Sequence, residues 1–223
     1  MLQLADICHW VACMLESKRR PKDALEWFQR APHFRETKLG EHHLDTLSTV
    51  GLAAHIYGLL ANYASASERY RQALSGHEKT LGRWNPITLK LLNSMGWLYY
   101  YQGDYGPARE VYEEALSGQI DHLSFENLDT LKTLQDLGVL EGKSGNYQRA
   151  IEHFQICASV YEAQLGPEHP TTLRSLAFMV QQYKNQTKYF EALDIQFRIL
   201  PLSEKLFGED RYTLEKVHDI GMV

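Results

Sequence analysis

The sequence is poor in the features that would fix a chemistry at first sight. Its 223 residues include three cysteines, Cys8, Cys13 and Cys157. None forms a C-x-x-C pair, and an odd count in a chain of this size reads as buried thiols kept reduced, not as a disulfide framework. Cys8 and Cys13 are five apart and fall on different faces of a helix, a poor spacing for a metal pair. No apolar run approaches the roughly 20 residues of a membrane-spanning helix. The opening stretch MLQLADICHWVACML is apolar but carries Asp6 and His9 and lacks a basic start and a small-residue cleavage site, so it does not read as a signal peptide. The net charge of −5 is too modest to draw the chain to nucleic acid or to an anionic membrane. No phosphate-cradling loop is present: GKSGN at Gly142 to Asn146 has part of the composition but no preceding strand. The expectation is a cytoplasmic protein without metal or cofactor. Hydrophobic residues make up 44% and aromatic residues 11%, enough for a folded core.

What the chain does have is a clock. Thr-Leu recurs at Thr46-Leu47, Thr88-Leu89, Thr130-Leu131 and Thr172-Leu173, with a constant step of 42 residues. Tyr63, Tyr105, Tyr147 and Tyr189 keep the same step, as do Leu39, Leu81, Leu123, Leu165 and Phe207. A fixed period in this range is the signature of a repeat architecture. Such arrays bind partners along extended surfaces more often than they catalyse reactions.

One period reads as helix–turn–helix. In residues 81–122, Gly82 suits a left-handed helix C-cap and Pro86 a first helical turn. Leu89, Leu92, Met95 and Tyr99 then follow helical spacing. Gly103 and Asp104 end that helix. A second follows from Tyr105 or Pro107, with Ala108, Val111, Tyr112, Ala115 and Leu116 on one face. Across periods the first helix keeps a small residue at Ala12, Ala54, Gly96 and Gly138, with Val180 departing. Three residues on come Tyr57, Tyr99 and Tyr183, with Leu15 and Glu141 departing. The second helix holds Ala24, Ala66, Ala108, Ala150 and Ala192 in one column. Four residues later come Phe28, Tyr70, Tyr112 and Phe154, and then Gln196. Small residues let helices cross closely, and the neighbouring rings fill the remaining space.

This alternation resembles the tetratricopeptide repeat. The 42-residue period, with L-G-x-x-[H/N]-P-x-T-L before the first helix, is similar to the kinesin-light-chain type; LGRWNPITL at Leu81 to Leu89 and LGPEHPTTL at Leu165 to Leu173 are the best examples. The resemblance implies an all-α fold, an α-solenoid winding as a right-handed superhelix of antiparallel helix pairs, with about 11 helices. The pairs fall at about 2–37, 44–80, 86–121, 128–164 and 170–206, in a single array over 1–223. A partial sixth repeat or cap at 211–223 would cover the last apolar face.

The resemblance also implies that the first helix of each pair lines a concave groove. The groove candidates are Lys90, Asn93, Trp97 and Tyr101, with His55 from the preceding repeat. Lys132, Gln135 and Asp136 come from the next repeat, and Arg174, Phe178 and Gln181 from the one after. The first repeat would add Asp6, His9, Trp10, Cys13, Glu16 and Ser17. Lys90, Lys132 and Arg174 form one column and could hold carboxylates of an acidic peptide, or could pair with nearby acids instead. Trp97, Tyr100, Tyr101 and Phe178 could anchor a partner's apolar side chains, or could pack between helices. Kinesin light chains hold extended cargo through groove asparagines. Only Asn93 stands at that position, Gly51, Gln135 and Ala177 replacing the others. The residues of a two-carboxylate clamp are not found in consecutive repeats either. His42-His43 and His169 sit in inter-repeat connections and read as structural. His9, His55, Lys90, Lys132 and Asp136 around Trp97 and Tyr101 make the one acid–base constellation, and catalysis is not the expectation.

The sequence therefore predicts a protein-interaction scaffold that takes a peptide or partner segment in its groove. The alternatives are a small-molecule-binding or catalytic protein using the groove as a pocket, and a self-associating sensor region of a larger signalling protein. Self-association would run through the exposed end of the first or last helix.

Overall fold

A computed structural model of the chain describes Lys22, Asp23, Trp27, His33 and residues 35–207. The first-repeat residues Asp6, Cys8, His9, Trp10, Cys13, Glu16 and Ser17, and the capping stretch 211–223, lie outside the described residues. A helical segment over 35–39 is followed by eight complete helices. These are α1 (Leu44–Leu59), α2 (Tyr63–Leu81), α3 (Pro86–Gln102), α4 (Tyr105–His122), α5 (Leu128–Lys143), α6 (Tyr147–Leu165), α7 (Pro170–Asn185) and α8 (Tyr189–Phe207). The helix bounds of the four pairs from Leu44 on fall within a residue of those expected, each second helix running one residue further, while the expected first pair, 2–37, lies mostly outside the described residues. Among the described residues there are nine helices and no strand; the count of about 11 drew on stretches outside them.

Contacts divide the chain into two units at Leu123 and Ser124. In the first, α1 packs on α2, α3 on α4, and α2 on α3; in the second, α5 packs on α6, α7 on α8, and α6 on α7. The first helices of successive pairs also touch, α1 with α3 and α5 with α7. Each unit is thus a solenoid of stacked antiparallel pairs with its first helices on one face.

The recurring motif has a local cause. His43, Asn85, Asn127 and His169 are the N-caps of α1, α3, α5 and α7, each accepting a hydrogen bond from the backbone N–H two residues on. A side-chain acceptor there satisfies one of the orphan N–H groups of the first turn. His43 and His169 are therefore structural, as expected. The Thr of Thr-Leu closes the connection: Thr88, Thr130 and Thr172 donate to the carbonyls of Gly82, Ser124 and Gly166 at 2.8–2.9 Å. The Leu beside each is core, with Leu47, Leu89, Leu131 and Leu173 at most 1% exposed. Gly82 has φ 91° and ψ 158°, an extended glycine conformation instead of the left-handed helical one expected.

The turns inside the pairs repeat as well. The N–H groups of Asn62, Asp104, Asn146 and Lys188 bond to the carbonyls of Tyr57, Tyr99, Glu141 and Tyr183 at 2.9–3.0 Å. This is the long bond of a Schellman cap, which needs a left-handed residue just before the donor. That residue is Gly103 (φ 86°) or Gly145 (φ 83°) in two repeats, but Ala61 (φ 56°) and Thr187 (φ 59°) in the others.

Packing explains the small–bulky alternation. A Cβ on Gly96 would lie 2.5 Å from the Tyr112 ring, and one on Gly138 would lie 2.9 Å from Phe154. Ala54 and Tyr70 share a core cluster. Where the first helix carries buried Val180, the second carries half-buried Gln196 sixteen residues on, in place of a ring.

Candidate functional site

In the first unit α1 and α3 bring the aromatic candidates together. Trp97 is half-buried, its ring 4.9 Å from His55 and 4.5 Å from Tyr101. The indole is seated over Gly58, where a Cβ would stand 2.7 Å from Trp97 Cζ3. Tyr100 meets Tyr101 edge-on at 5.2 Å and lies 6.0 Å from Tyr105. Burial, and then the neighbouring Tyr101 and Tyr105, push the Tyr100 hydroxyl up to about 12, so it stays protonated and can donate. Tyr101 at 49% and Leu59 at 45% keep the outer edge of the cluster open. Lys90 is exposed about two turns below Trp97, and Asn93 is half-buried between them.

In the second unit α5 and α7 carry the charged candidates. Lys132 Nζ lies 3.0 Å from Asp136 Oδ1 and 3.2 Å from Oδ2. This i,i+4 pair at the surface is worth about 0.3–0.5 kcal/mol. The bland alternative for the cation column thus holds at Lys132. Arg174 is half-buried, within electrostatic range of Cys157 and Tyr161. Gln181 is exposed and donates to Asn185 at 3.0 Å.

Two candidates turn inward. Gln135 is 2% exposed and donates to Ser175 Oγ at 2.7 Å, joining α5 to α7. Phe178 stacks on Phe154 at 5.0 Å and packs against the core of the second unit. Gln135 faces the next first helix, and Phe178 faces Phe154 on the second helix of the preceding pair. The open columns are those of Ser48, Lys90 and Lys132 and of Leu59, Tyr101, Lys143 and Asn185. Gly58 was the residue whose role spacing alone concealed: the column reads Gly58, Tyr100, Gly142, Lys184, and only contact geometry shows which glycine seats a ring.

Nucleophilic chemistry finds no support among the described groups. The Cys157 thiol is buried, donates to the Leu131 carbonyl at 3.4 Å, and is pushed up to about 12 by burial and by Asp136, with Arg174 opposing. Burial lowers His153, against the pull of Glu141 and Glu152. Glu141, standing where other repeats have Tyr, is itself buried and accepts from Asn146 Nδ2 at 2.6 Å. Among the described residues no three His, Cys, Asp or Glu groups could hold a metal ion. An open hollow of about 410 Å³ lies at the α5–α6 turn, lined by Gly145, Asn146, Tyr147, Gln148, Arg149 and Gln186. It includes none of the groove candidates. Among the described residues no helix is long and apolar enough to cross a membrane.

This architecture of capped, stacked helix pairs with a small–bulky core defines the class of helical repeat solenoids. Two family models described as tetratricopeptide repeat match, one over residues 53–120 and one over 130–171. Residues 53–120 and 130–171 are thus tetratricopeptide repeats. Comparison with curated protein sequences gives no match. Among solved structures, the nearly identical TPR-like repeats of a Podosopora anserina protein described as a kinesin light chain are 20% identical, with a TM-score of 0.76 over 92% of this chain and 98% of that one. BtubC (BKLC) from P. vanneervenii is 17% identical, with a TM-score of 0.78 over 94% of this chain and 83% of that one. A Rap protein complexed with Competence and Sporulation Factor is 14% identical, with a TM-score of 0.78 over 96% of this chain and 57% of that one. At these identities the likeness is one of fold. The class of repeat supports a protein-interaction scaffold in general terms.

Proposed function

We propose that the chain binds a partner protein segment on the inner face of its first helices, anchored by an apolar side chain against Trp97, Tyr101 and Leu59. The observation that carries this reading is the open aromatic edge on α1 and α3. Trp97 is held on one side by Gly58 and His55, while Tyr101 and Leu59 beside it stay about half exposed. A rigid, part-buried ring next to exposed apolar surface is the usual make-up of a binding hot spot. Exposed Lys90 on the same helix supplies charge selection for an acidic residue in the segment. Lys132 and Asp136 form an ion pair of their own in the second unit. The Rap neighbour, solved in complex with a factor, is consistent with ligand binding by this fold.

The test is capture of partners from the source cell extract by the wild-type chain and by Trp97→Ala combined with Lys132→Glu. The doubly substituted chain is expected to lose partners that the wild type retains, and Lys132→Glu alone is expected to keep most of them. Equal retention by wild type and double variant would sink the inner-face reading.

A further inference from the structure

The clock breaks most sharply on α8, on a face that stacking does not use. Phe190 is 87% exposed and Phe197 73% exposed. Their column mates in the other second helices are Ala64, Gly106 and Gln148, and Arg71, Glu113 and Gln155, all exposed. Gln148 and Gln155 stay exposed on α6 although a further helix pair, α7 and α8, packs onto that helix. A regular repeat stacked after α8 would therefore leave Phe190 and Phe197 in water. Together with Leu193, 46% exposed, and Pro201 they follow i, i+3, i+7, i+11 spacing and so form one apolar stripe along α8.

The charges beside the stripe say what covers it. One edge carries Glu191 in the first turn and Lys205 in the last, with Asp194 and, at the middle of α8, Arg198 between them. The two cations are held in place by Glu162 at 2.7 Å and Glu168 at 2.6 Å, yet remain largely exposed. When two such helices pack antiparallel, like edges face each other. With Phe190, Leu193 and Phe197 at the centre of the contact, Glu191 of each copy comes opposite Arg198 of the other. A parallel arrangement sets this edge against the opposite one, whose charge is Glu204 alone. The pattern is self-complementary under a two-fold axis, the requirement for an isologous dimer.

We propose that α8 is a homodimerisation helix that packs antiparallel against α8 of a second copy of this chain through Phe190, Leu193 and Phe197. The surface is distinct from the inner face and does not depend on the reading of it. A single helix face about 28 Å long falls short of the roughly 1,600 Å² of a standard interface. The dimer is accordingly a weak one, with a dissociation constant on the order of micromolar.

Sedimentation equilibrium of the full chain across micromolar concentrations tests this. The wild type is expected to move from monomer to dimer. Phe190→Glu with Phe197→Glu, both at exposed positions, is expected to weaken dimerisation by roughly tenfold or more, with helicity and melting temperature unchanged. Glu191→Lys should weaken self-association, as should Arg198→Glu, and mixing the two charge variants should restore a heterodimer. A wild type that stays monomeric overturns the proposal, as does a dimer indifferent to the phenylalanine changes. A monomeric wild type whose melting temperature falls on those changes would show that the face is covered from within the chain, and also overturns it. A dimer whose charge variants are not rescued by mixing overturns the antiparallel geometry.

Discussion

A glycine inside a helix costs about 1 kcal/mol relative to alanine, so Gly96 in the middle of α3 needs a compensating reason. The structure supplies one in Tyr112, whose ring would lie 2.5, 2.6 and 2.9 Å from a Cβ at that position. Favourable carbon contacts need roughly 3.5–4.0 Å, so the ring would have to move by about 1 Å. It is 2% exposed and has nowhere to go. Gly96→Val should therefore destabilise by about 3 kcal/mol, the upper end for overpacking. Tyr112→Gln removes a buried ring and should cost about 3 kcal/mol as well. Independent effects would give a double variant about 6 kcal/mol less stable, enough to unfold many domains. The last described pair contains this combination already, as Val180 and Gln196. The double variant is expected to lose only about 3 kcal/mol, a coupling of roughly 3 kcal/mol that only touching residues show. Urea unfolding followed by circular dichroism at 222 nm reads the effect, with slopes compared as well as midpoints because repeats can unfold in parts. A double variant whose loss equals the sum of the single losses would refute the packing argument.

Thr187, at φ 59° in a turn where Gly103 and Gly145 stand in other repeats, should gain about 1 kcal/mol on Thr187→Gly, seen as a rise in melting temperature. Ser124, at φ 133° in the column of Gly40, Gly82 and Gly166, should respond in the same direction; a fall at either position would show that the side chain does more than occupy a strained site. Thr130→Val keeps the shape but removes the bond to the Ser124 carbonyl, 2.8 Å long, and should cost about 1 kcal/mol in urea unfolding. In alkaline solution the unfolded chain releases the Cys157 proton near pH 9 while the folded chain holds it to about 12. The stability from this raised thiol is thus complete below pH 9 and is lost as pH rises from 9 towards 12. The fall in urea midpoint between pH 9 and 10 should be smaller in Cys157→Ala, and an unchanged slope would contradict the burial of the thiol.

Much of the fold was legible because its columns are periodic and its local chemistry is strong. Asn85 and His169 differ as residues, yet both offer the acceptor an N-cap needs, so the motif is readable as chemistry. Ala108 and Ala150 are fully buried, as a column without exception should be. The candidate site was less legible. Spacing places Gln135 and Lys132 on the same part of α5, but only the rotation of that helix against α7 decides that Gln135 bonds Ser175 and Lys132 faces water. Phe178 turns inward for the same reason. A helical period states which residues share a face and leaves open what the face meets.

Departures from the clock therefore divide by whether something answers them. Val180 departs, and Gln196 departs with it, half-buried in place of a ring. Glu141 departs from an aromatic column and Asn146 answers it with a hydrogen bond. Phe190 and Phe197 depart, and no residue of α6 or α7 is changed to receive them: their rings stand 87% and 73% in water. Exposed rings on a repeat scaffold expose apolar area at roughly 25 cal/mol per Å² and compensate for nothing inside it. The edge formed by Tyr101 and Leu59 is likewise half in water. Both proposals assign an unanswered departure to another molecule, so the face of α1 and α3 that carries Tyr101 and the exposed face of α8 are where binding should be measured.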